Sequence, residues 1–270
     1  AGAGASTAAG LCYGGKRFTD NFAEFIEKYG SQYMTDMYAA GFYPFPTEEA
    51  KWGYWSKHAL MNRFEPPSLP LYTQLYDIVK DKEYFVLTTN VDHQFYKAGF
   101  ASDRIFATQG DYGKIQCQKG CHPKTYESEE MFRKMDAERK DCLIPSEFVP
   151  KCPVCGGKMA MHLRCDNYFV EDEKWHEAAD RYADFLVQNN VKMIVIACNT
   201  VSATCLDDIQ FKYPRIPVIG VIRPAAEKVV RWSSPDNKIG IIGTKVTIQS
   251  KAYEYLIKEL NGDLNIFSTA

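Results

Sequence analysis

Four of the nine cysteines fall into two close pairs, Cys117 with Cys121 and Cys152 with Cys155, with thirty residues between the pairs. No other feature of the sequence limits the possible folds as strongly. Cysteines three or four positions apart present two thiolates from one turn to one ion, and two such turns complete a closed tetrahedral shell. The second pair reads Lys-Cys-Pro-Val-Cys-Gly-Gly, whose glycines permit a tight turn beneath a metal. The spacing predicts a structural Zn2+ on Cys117, Cys121, Cys152 and Cys155, with no open coordination position. Four unrelated buried thiols are the plain alternative, and His122 could compete as a ligand. An odd cysteine count without a secretory segment argues against disulfides. Most of Cys12, Cys142, Cys165, Cys198 and Cys205 then read as small buried hydrophobes.

The length of 270 residues suits one or two domains. A net charge of −2 gives no reason to expect nucleic-acid binding. Apolar runs such as Met193–Cys198 are far below the ~18–20 residues that span a bilayer, so no membrane is expected and a cytoplasmic location is. The chain starts at Ala1 without an initiator Met and stops just after a strand read over Leu264–Phe267, which suggests a fragment.

Apolar periodicity predicts helices over 22–29, 72–80, 128–140 and 173–186, and a short strand over 84–87. Beyond Asn189-Asn190 the texture changes. Buried strands are read over 191–197, 217–222 and 238–242, alternating with helices over 204–212, 225–231 and 248–260. That order implies a parallel sheet.

Gly2-Ala3-Gly4-Ala5-Ser6, followed by Ala8, Ala9 and Gly10, is a small-residue loop suited to backbone contact with phosphate. It is joined by Thr88-Thr89-Asn90-Val91-Asp92-His93-Gln94-Phe95 at a strand end, by Thr108-Gln109-Gly110-Asp111, and by Leu163-Arg164-Cys165-Asp166 after the cysteine insert. Read singly, Asn90 and Asp92 could cap a helix, Gln109 could be a turn residue, and Arg164 with Asp166 could be a structural pair.

In order and spacing this set resembles the sirtuins, above all class M, the microbial branch linked to macrodomain proteins. The resemblance implies NAD held between a Rossmann-like lobe and a zinc lobe. Gly2, Ala3, Gly4, Ala5, Ser6 and Gly10 would lie by the pyrophosphate, Asn90 by the nicotinamide ribose and Asp92 by the carboxamide. Gln109 occupies the position of the deacylating sirtuins' His base. An amide cannot exchange a proton near neutral pH, so Gln109 can orient a hydroxyl but not act as base. Weak or absent deacylation and NAD-dependent protein ADP-ribosyl transfer are therefore expected, with Asn90, Gln109 and Arg164 as catalytic residues. The acceptor implied by the family is a protein similar to a lipoylated glycine-cleavage H-type carrier, with a macrodomain protein as a further partner.

A second set follows. Cys198-Asn199-Thr200-Val201-Ser202-Ala203 lies between a strand and a helix, where the helix N-terminus favours a thiolate. Pro217–Ile222 and Ile242-Gly243-Thr244 come later. This text resembles glutamate racemase, which implies Cys198 as a catalytic acid–base and Asn199, Thr200 and Thr244 as substrate contacts. The family's second catalytic Cys belongs to a Cys-Thr-His motif beyond residue 270. Cys205 lies on the same side as Cys198, and racemisation needs two opposed groups.

The expected fold is α/β: a Rossmann-like parallel sheet over 1–188, with a zinc insert at about 114–160, then incomplete racemase-like β/α units over 189–270. These units are expected to extend or replace the edge of the nucleotide sheet. A racemase-type lobe, or a non-catalytic chimeric or truncated product, is the alternative function.

Overall fold

A computed structural model describes residues 2–165, 168–171, 175–234, 236–243 and 245–269. The chain divides into two compact units, Ala1–Arg164 and Cys165–Ala270. Among the described residues, no helix is long and apolar enough to cross a membrane.

The first unit is organised by aromatic side chains. Phe22 and Phe25 close on Tyr54 with ring centroids 5.3 and 5.5 Å away. Each such burial is worth roughly 1.5–3 kcal/mol. Tyr54 lies in the helix Glu48–Ala59, where Thr47 Oγ1 accepts the Ala50 N–H at 3.2 Å and Glu48 and Glu49 occupy the first turn. Gly53 is required there, because a Cβ would come 2.3 Å from the Cys142 carbonyl oxygen. His58, in the last turn, is fully buried, and desolvation followed by repulsion from Arg17 lowers its pKa to about 3. The helix passes directly into a π-helix, Leu60–Phe64, closed by Glu65 N–H to Leu60 O at 2.9 Å.

Strand β1 (Val86–Thr88) pairs in parallel with β2 (Ile105–Ala107). Strand β3 (Gly110–Cys117) lies between β4 (Thr125–Glu127) and β5 (Met159–Leu163), antiparallel to both. Between the pairs Gly110↔Leu163 and Ile115↔Met161 the register shifts, with five steps along β3 against two along β5. Trp52, Ile115, Phe132, Met135 and Met159 form the core under this sheet, which Cys117 and Cys152 join. The helices predicted over 72–80 and 128–140 are observed as Pro70–Val79 and Glu129–Glu138.

In the second unit, β6 (Ile194–Ile196) runs parallel to β7 (Val218–Gly220), and β8 (Lys238–Ile242) parallel to β9 (Asn265–Thr269). Helices Trp175–Gln188, Asn199–Thr204, Leu206–Lys212, Ile222–Trp232, Lys245–Gln249 and Ala252–Leu260 alternate with them. The α/β order is as read. Three details are not. The helices predicted over 204–212 and 248–260 are each broken, at Cys205 and near Lys251, which takes a left-handed φ of 56°. The strands predicted as buried are covered on one face at most, so Val195 is 60 % and Ile242 86 % exposed. Finally, Cys12, Cys165 and Cys198 are exposed, and only Cys142 and Cys205 of the five remaining cysteines are buried.

Candidate functional site

Alanine is the strongest helix former, and the segment read as a loop is mostly helix: Gly2 is the N-cap and Ala3–Ala8 are helical. Gly10, at φ +102°, stops that helix. Its N–H donates to Thr7 O at 3.1 Å and the Leu11 N–H to Ser6 O at 2.8 Å, the paired bonds of a Schellman end. Gly2 lies against Thr89, with its Cβ position 3.6 Å from Thr89 Oγ1, and Gly4 faces open space. Of the small residues, Ser6 alone enters the polar network below.

Ser6 Oγ donates to Asp92 Oδ2 and accepts from Asn90 Nδ2 at 3.0 Å. The second Asn90 Nδ2 hydrogen reaches Tyr72 Oη at 3.0 Å, and Tyr72 Oη lies 2.8 Å from Ser6 Oγ. The Tyr72 hydroxyl must donate in that contact, since the one Ser6 proton is already committed. All four residues are buried. Asp92 Oδ1 also accepts the Gln94 N–H at 3.1 Å, but the N-cap of the helix Gln94–Lys97 is His93, so the capping role open to Asp92 is not the one it takes. Burial raises the Asp92 pKa, only partly offset by the hydrogen bond from Ser6.

Beside this network, at the end of β1, lies a cleft bounded by Thr88, Asn90, Asp92, His93, Tyr96 and Asp111 among others. Sequence reasoning missed three residues here. Asp111 follows Gln109 and Gly110 at the start of β3, within the register shift, and bulges commonly re-aim side chains beside active sites. Its Oδ2 lies 2.7 Å from His93 Nδ1, and its Oδ1 accepts from Arg63 Nε at 2.9 Å and the Gly113 N–H at 2.6 Å. Burial would raise the Asp111 pKa, but the His93 hydrogen bond and the Arg63 charge outweigh it, and the pKa is lowered. Two carboxylates of one cleft are thus driven in opposite directions. Arg63 comes from the π-helix, and Lys97 Nζ fixes that segment by donating to Arg63 O at 2.6 Å and Pro66 O at 2.5 Å. No spacing rule connects positions 63, 93 and 111. The local signals were His93 inside the Asn-Val-Asp-His run and Asp111 at the end of Thr-Gln-Gly-Asp, neither of which was given a role.

Gln109 and Arg164 come together through the backbone. The Arg164 N–H donates to Gln109 O at 3.1 Å and its Nε to Thr108 O at 3.0 Å. Asp166 lies outside the described residues.

The four paired cysteines meet as the spacing predicts. Their Sγ atoms all lie within 4.8 Å of one another, with Cys117–Cys155 at 3.8 Å and Cys121–Cys152 at 3.6 Å. A tetrahedral zinc with ~2.3 Å bonds to sulfur sets its ligands about 3.8 Å apart, so the residues fit the ion. Left-handed Gly120 and Gly156 turn the two knuckles, and Gln118 N–H to Lys158 O at 3.0 Å ties them together. Four thiols this close resist joint ionisation. Backbone N–H groups of residues 121 and 119 outweigh burial and bring Cys117 down to about 6, while burial and the adjacent sulfurs push Cys121 up to about 12. A cation relieves that conflict. His122 Nδ1 lies 3.0 Å from Cys121 Sγ, but its Nε2 pairs with Tyr126 Oη at 2.8 Å.

In the second unit Cys198 is the exposed N-cap of Asn199–Thr204, and buried Cys205 is that helix's C-cap. Asn199 Oδ1 accepts from Tyr253 Oη at 2.8 Å. Ser202 Oγ donates to Ile196 O at 3.0 Å and accepts the Val221 N–H at 3.2 Å, and a Cβ on Gly220 would sit 2.8 Å from that hydroxyl oxygen. Glycine is therefore needed where β7 passes this helix. Thr244 and the Thr200 side chain lie outside the described residues.

The family model for Asp/Glu/Hydantoin racemase matches residues 128–268, just over half of the chain. The chain belongs to the Asp/Glu/hydantoin racemase family. A racemase relative, glutamate racemase of Enterococcus faecalis, is 51% identical over 76 residues, 28% of this chain and 27% of that protein. Outside the racemase family, a protein ADP-ribosyltransferase of Staphylococcus aureus is 36% identical over 189 residues, 70% of this chain and 59% of that protein. The chain thus spans less than two thirds of the length of either relative. A solved Sir2 homologue–NAD complex aligns over 97% of this chain and 86% of its own, at 16% identity and a TM-score of 0.43. The racemase-like text thus has its counterpart in the family model and in glutamate racemase, and the expected ADP-ribosyl transfer in the name of the Staphylococcus aureus relative.

Proposed function

We propose that the first unit performs NAD-dependent ADP-ribosyl transfer to a protein acceptor. The observation that carries this reading is the closed set Ser6–Asn90–Asp92–Tyr72 beside a polar cleft, in a chain similar over 70% of its length to a protein ADP-ribosyltransferase. NAD, when bound, supplies an ADP-ribosyl group on a carbon whose leaving group is nicotinamide. Asn90 and Asp92 would hold that end, fixed by Ser6 and Tyr72. Gln109 and Arg164 would orient the ribose and the acceptor, and the segment 2–10 would lie along the phosphates. The four cysteines would hold zinc as a structural ion. A lipoylated carrier protein as acceptor, a macrodomain partner, a cytoplasmic location and a junction of the family-like parts near residue 189 belong to the same proposal.

Nicotinamide release from NAD in the presence of a lipoylated acceptor tests it. Asn90→Ala should abolish release, and an unchanged rate would remove Asn90 from the catalytic set. Absence of NAD binding at millimolar concentration in calorimetry would sink the reading as a whole.

Membership of the racemase family favours a second reading for the other unit, amino-acid racemisation through Cys198 with Asn199 held by Tyr253. Cys198 and Cys205 cap the two ends of one short helix, which does not supply opposed acid and base. Loss of optical rotation of L-glutamate would support this reading.

A further inference from the structure

We propose that His93 is the group that takes up the acceptor's proton in the cleft, with Asp111 and Arg63 as its positioning residues. The inference rests on the reading of the cleft as a transferase site. It answers a chemical need which that reading leaves open, because Gln109 cannot accept a proton.

Four observations converge on His93. It lines the cleft together with Asn90 and Asp92, and its side chain is 27% exposed, so one edge reaches solvent while the other is held. Its Nδ1 meets Asp111 Oδ2 at 2.7 Å, and the other Asp111 oxygen is fixed by Arg63 Nε and the Gly113 N–H. A carboxylate so held accepts a hydrogen bond from Nδ1–H, which leaves the Nε2 lone pair as the base and stabilises the imidazolium once it forms. The backbone at His93 takes φ 64°, an uncommon conformation of a kind that clusters at functional sites. The ring also stacks on Tyr96 at 4.1 Å, which fixes its plane.

The step balances. The acceptor heteroatom gives its electron pair to the ribosyl carbon and its proton to His93 Nε2. The bond from that carbon to nicotinamide breaks, and its pair leaves with the neutral nicotinamide. The imidazolium then returns its proton to solvent. Asp111, Arg63, Asp92 and Lys97 are the charged groups around the ring. Asp92 engages Ser6 and Gln94, and Lys97 engages the carbonyls of residues 63, 64 and 66, so Asp111 is the partner that sets the tautomer.

The test uses the whole chain and two independent readouts. Long-range 1H–15N NMR should show the neutral His93 ring as the Nδ1–H tautomer, and Asp111→Asn should shift it toward Nε2–H. An Nε2–H tautomer in the unmodified chain, or no response to Asp111→Asn, overturns the proposal whether or not NAD turns over. In the nicotinamide-release assay, His93→Asn should lower kcat by about 100-fold and keep KM for NAD within about twofold. Asn tolerates the left-handed backbone and can still donate to Asp111, so the fold is retained. Turnover by His93→Asn at the unmodified rate overturns the proposal. If the unmodified chain binds no NAD, the transferase reading falls, and the tautomer result alone decides for or against His93 as the base of the cleft.

Discussion

The two units differ in how fully they cover the side chains around their sheets. In the first, Trp52 and Tyr54 are fully enclosed by neighbouring helices and a three-stranded antiparallel sheet. In the second, Val195, Phe211 and Ile242 are 60%, 89% and 86% exposed on or beside two-stranded parallel pairs. Parallel strands ordinarily carry cover on both faces, and here, among the described residues, strands of that apolar composition are covered on one face at most. An apolar run therefore records what a strand is suited to, and burial depends on what the rest of the chain lays over it.

The largest expected effect separates the units through the metal. Chelation of zinc, or Cys152→Ser, should unfold the β3–β5 sheet, since structural zinc sites contribute about 10 kcal/mol to folding. Amide exchange should rise across residues 110–163 and stay unchanged in β6–β9, and equal loss in both units would break the comparison. A smaller effect follows from His58. Its folded pKa of about 3 lies below the ordinary 6.5, so the unfolded chain binds the extra proton first. Stability of the first unit should fall as pH drops below about 6.5 and continue to fall toward 3. His58→Gln should flatten this slope in urea titrations of Trp fluorescence. The smallest effect belongs to the second unit. Ile242→Lys should change stability by no more than ~0.5 kcal/mol, because the side chain it replaces is largely exposed. A cost of several kcal/mol in thermal unfolding would show that this strand face is covered in solution.

The metal site was legible because its determinants are local: Cys117 with Cys121, and Cys152 with Cys155, each sit on one turn. The strand–helix order was legible for the same reason, through periodicity. The helical character of Ala3–Ala8 was masked by its glycines, which suggested a loop although Ala and Ser propensity prevails. The residues that equip the cleft were not legible. Arg63, His93 and Asp111 meet only because a π-helix and a register shift redirect two of them, and both are tertiary outcomes. Asn90 and Asp92 were singled out at a strand end and line the cleft, but Tyr72, which bonds Asn90, was read only as part of a helix.

The register shift in β3 has a consequence in simple parity. Side chains along a strand alternate faces with period two. Between Gly110 and Ile115, β3 advances five residues while β5 advances two, an odd excess. The even–odd count that governs the zinc end of the strand is therefore reversed at the Asp111 end. Deleting or inserting one residue between 110 and 115 would exchange the two faces and turn Asp111 away from His93. A change of two residues would keep the alternation and leave Cys117 and Asp111 each on the side they now occupy.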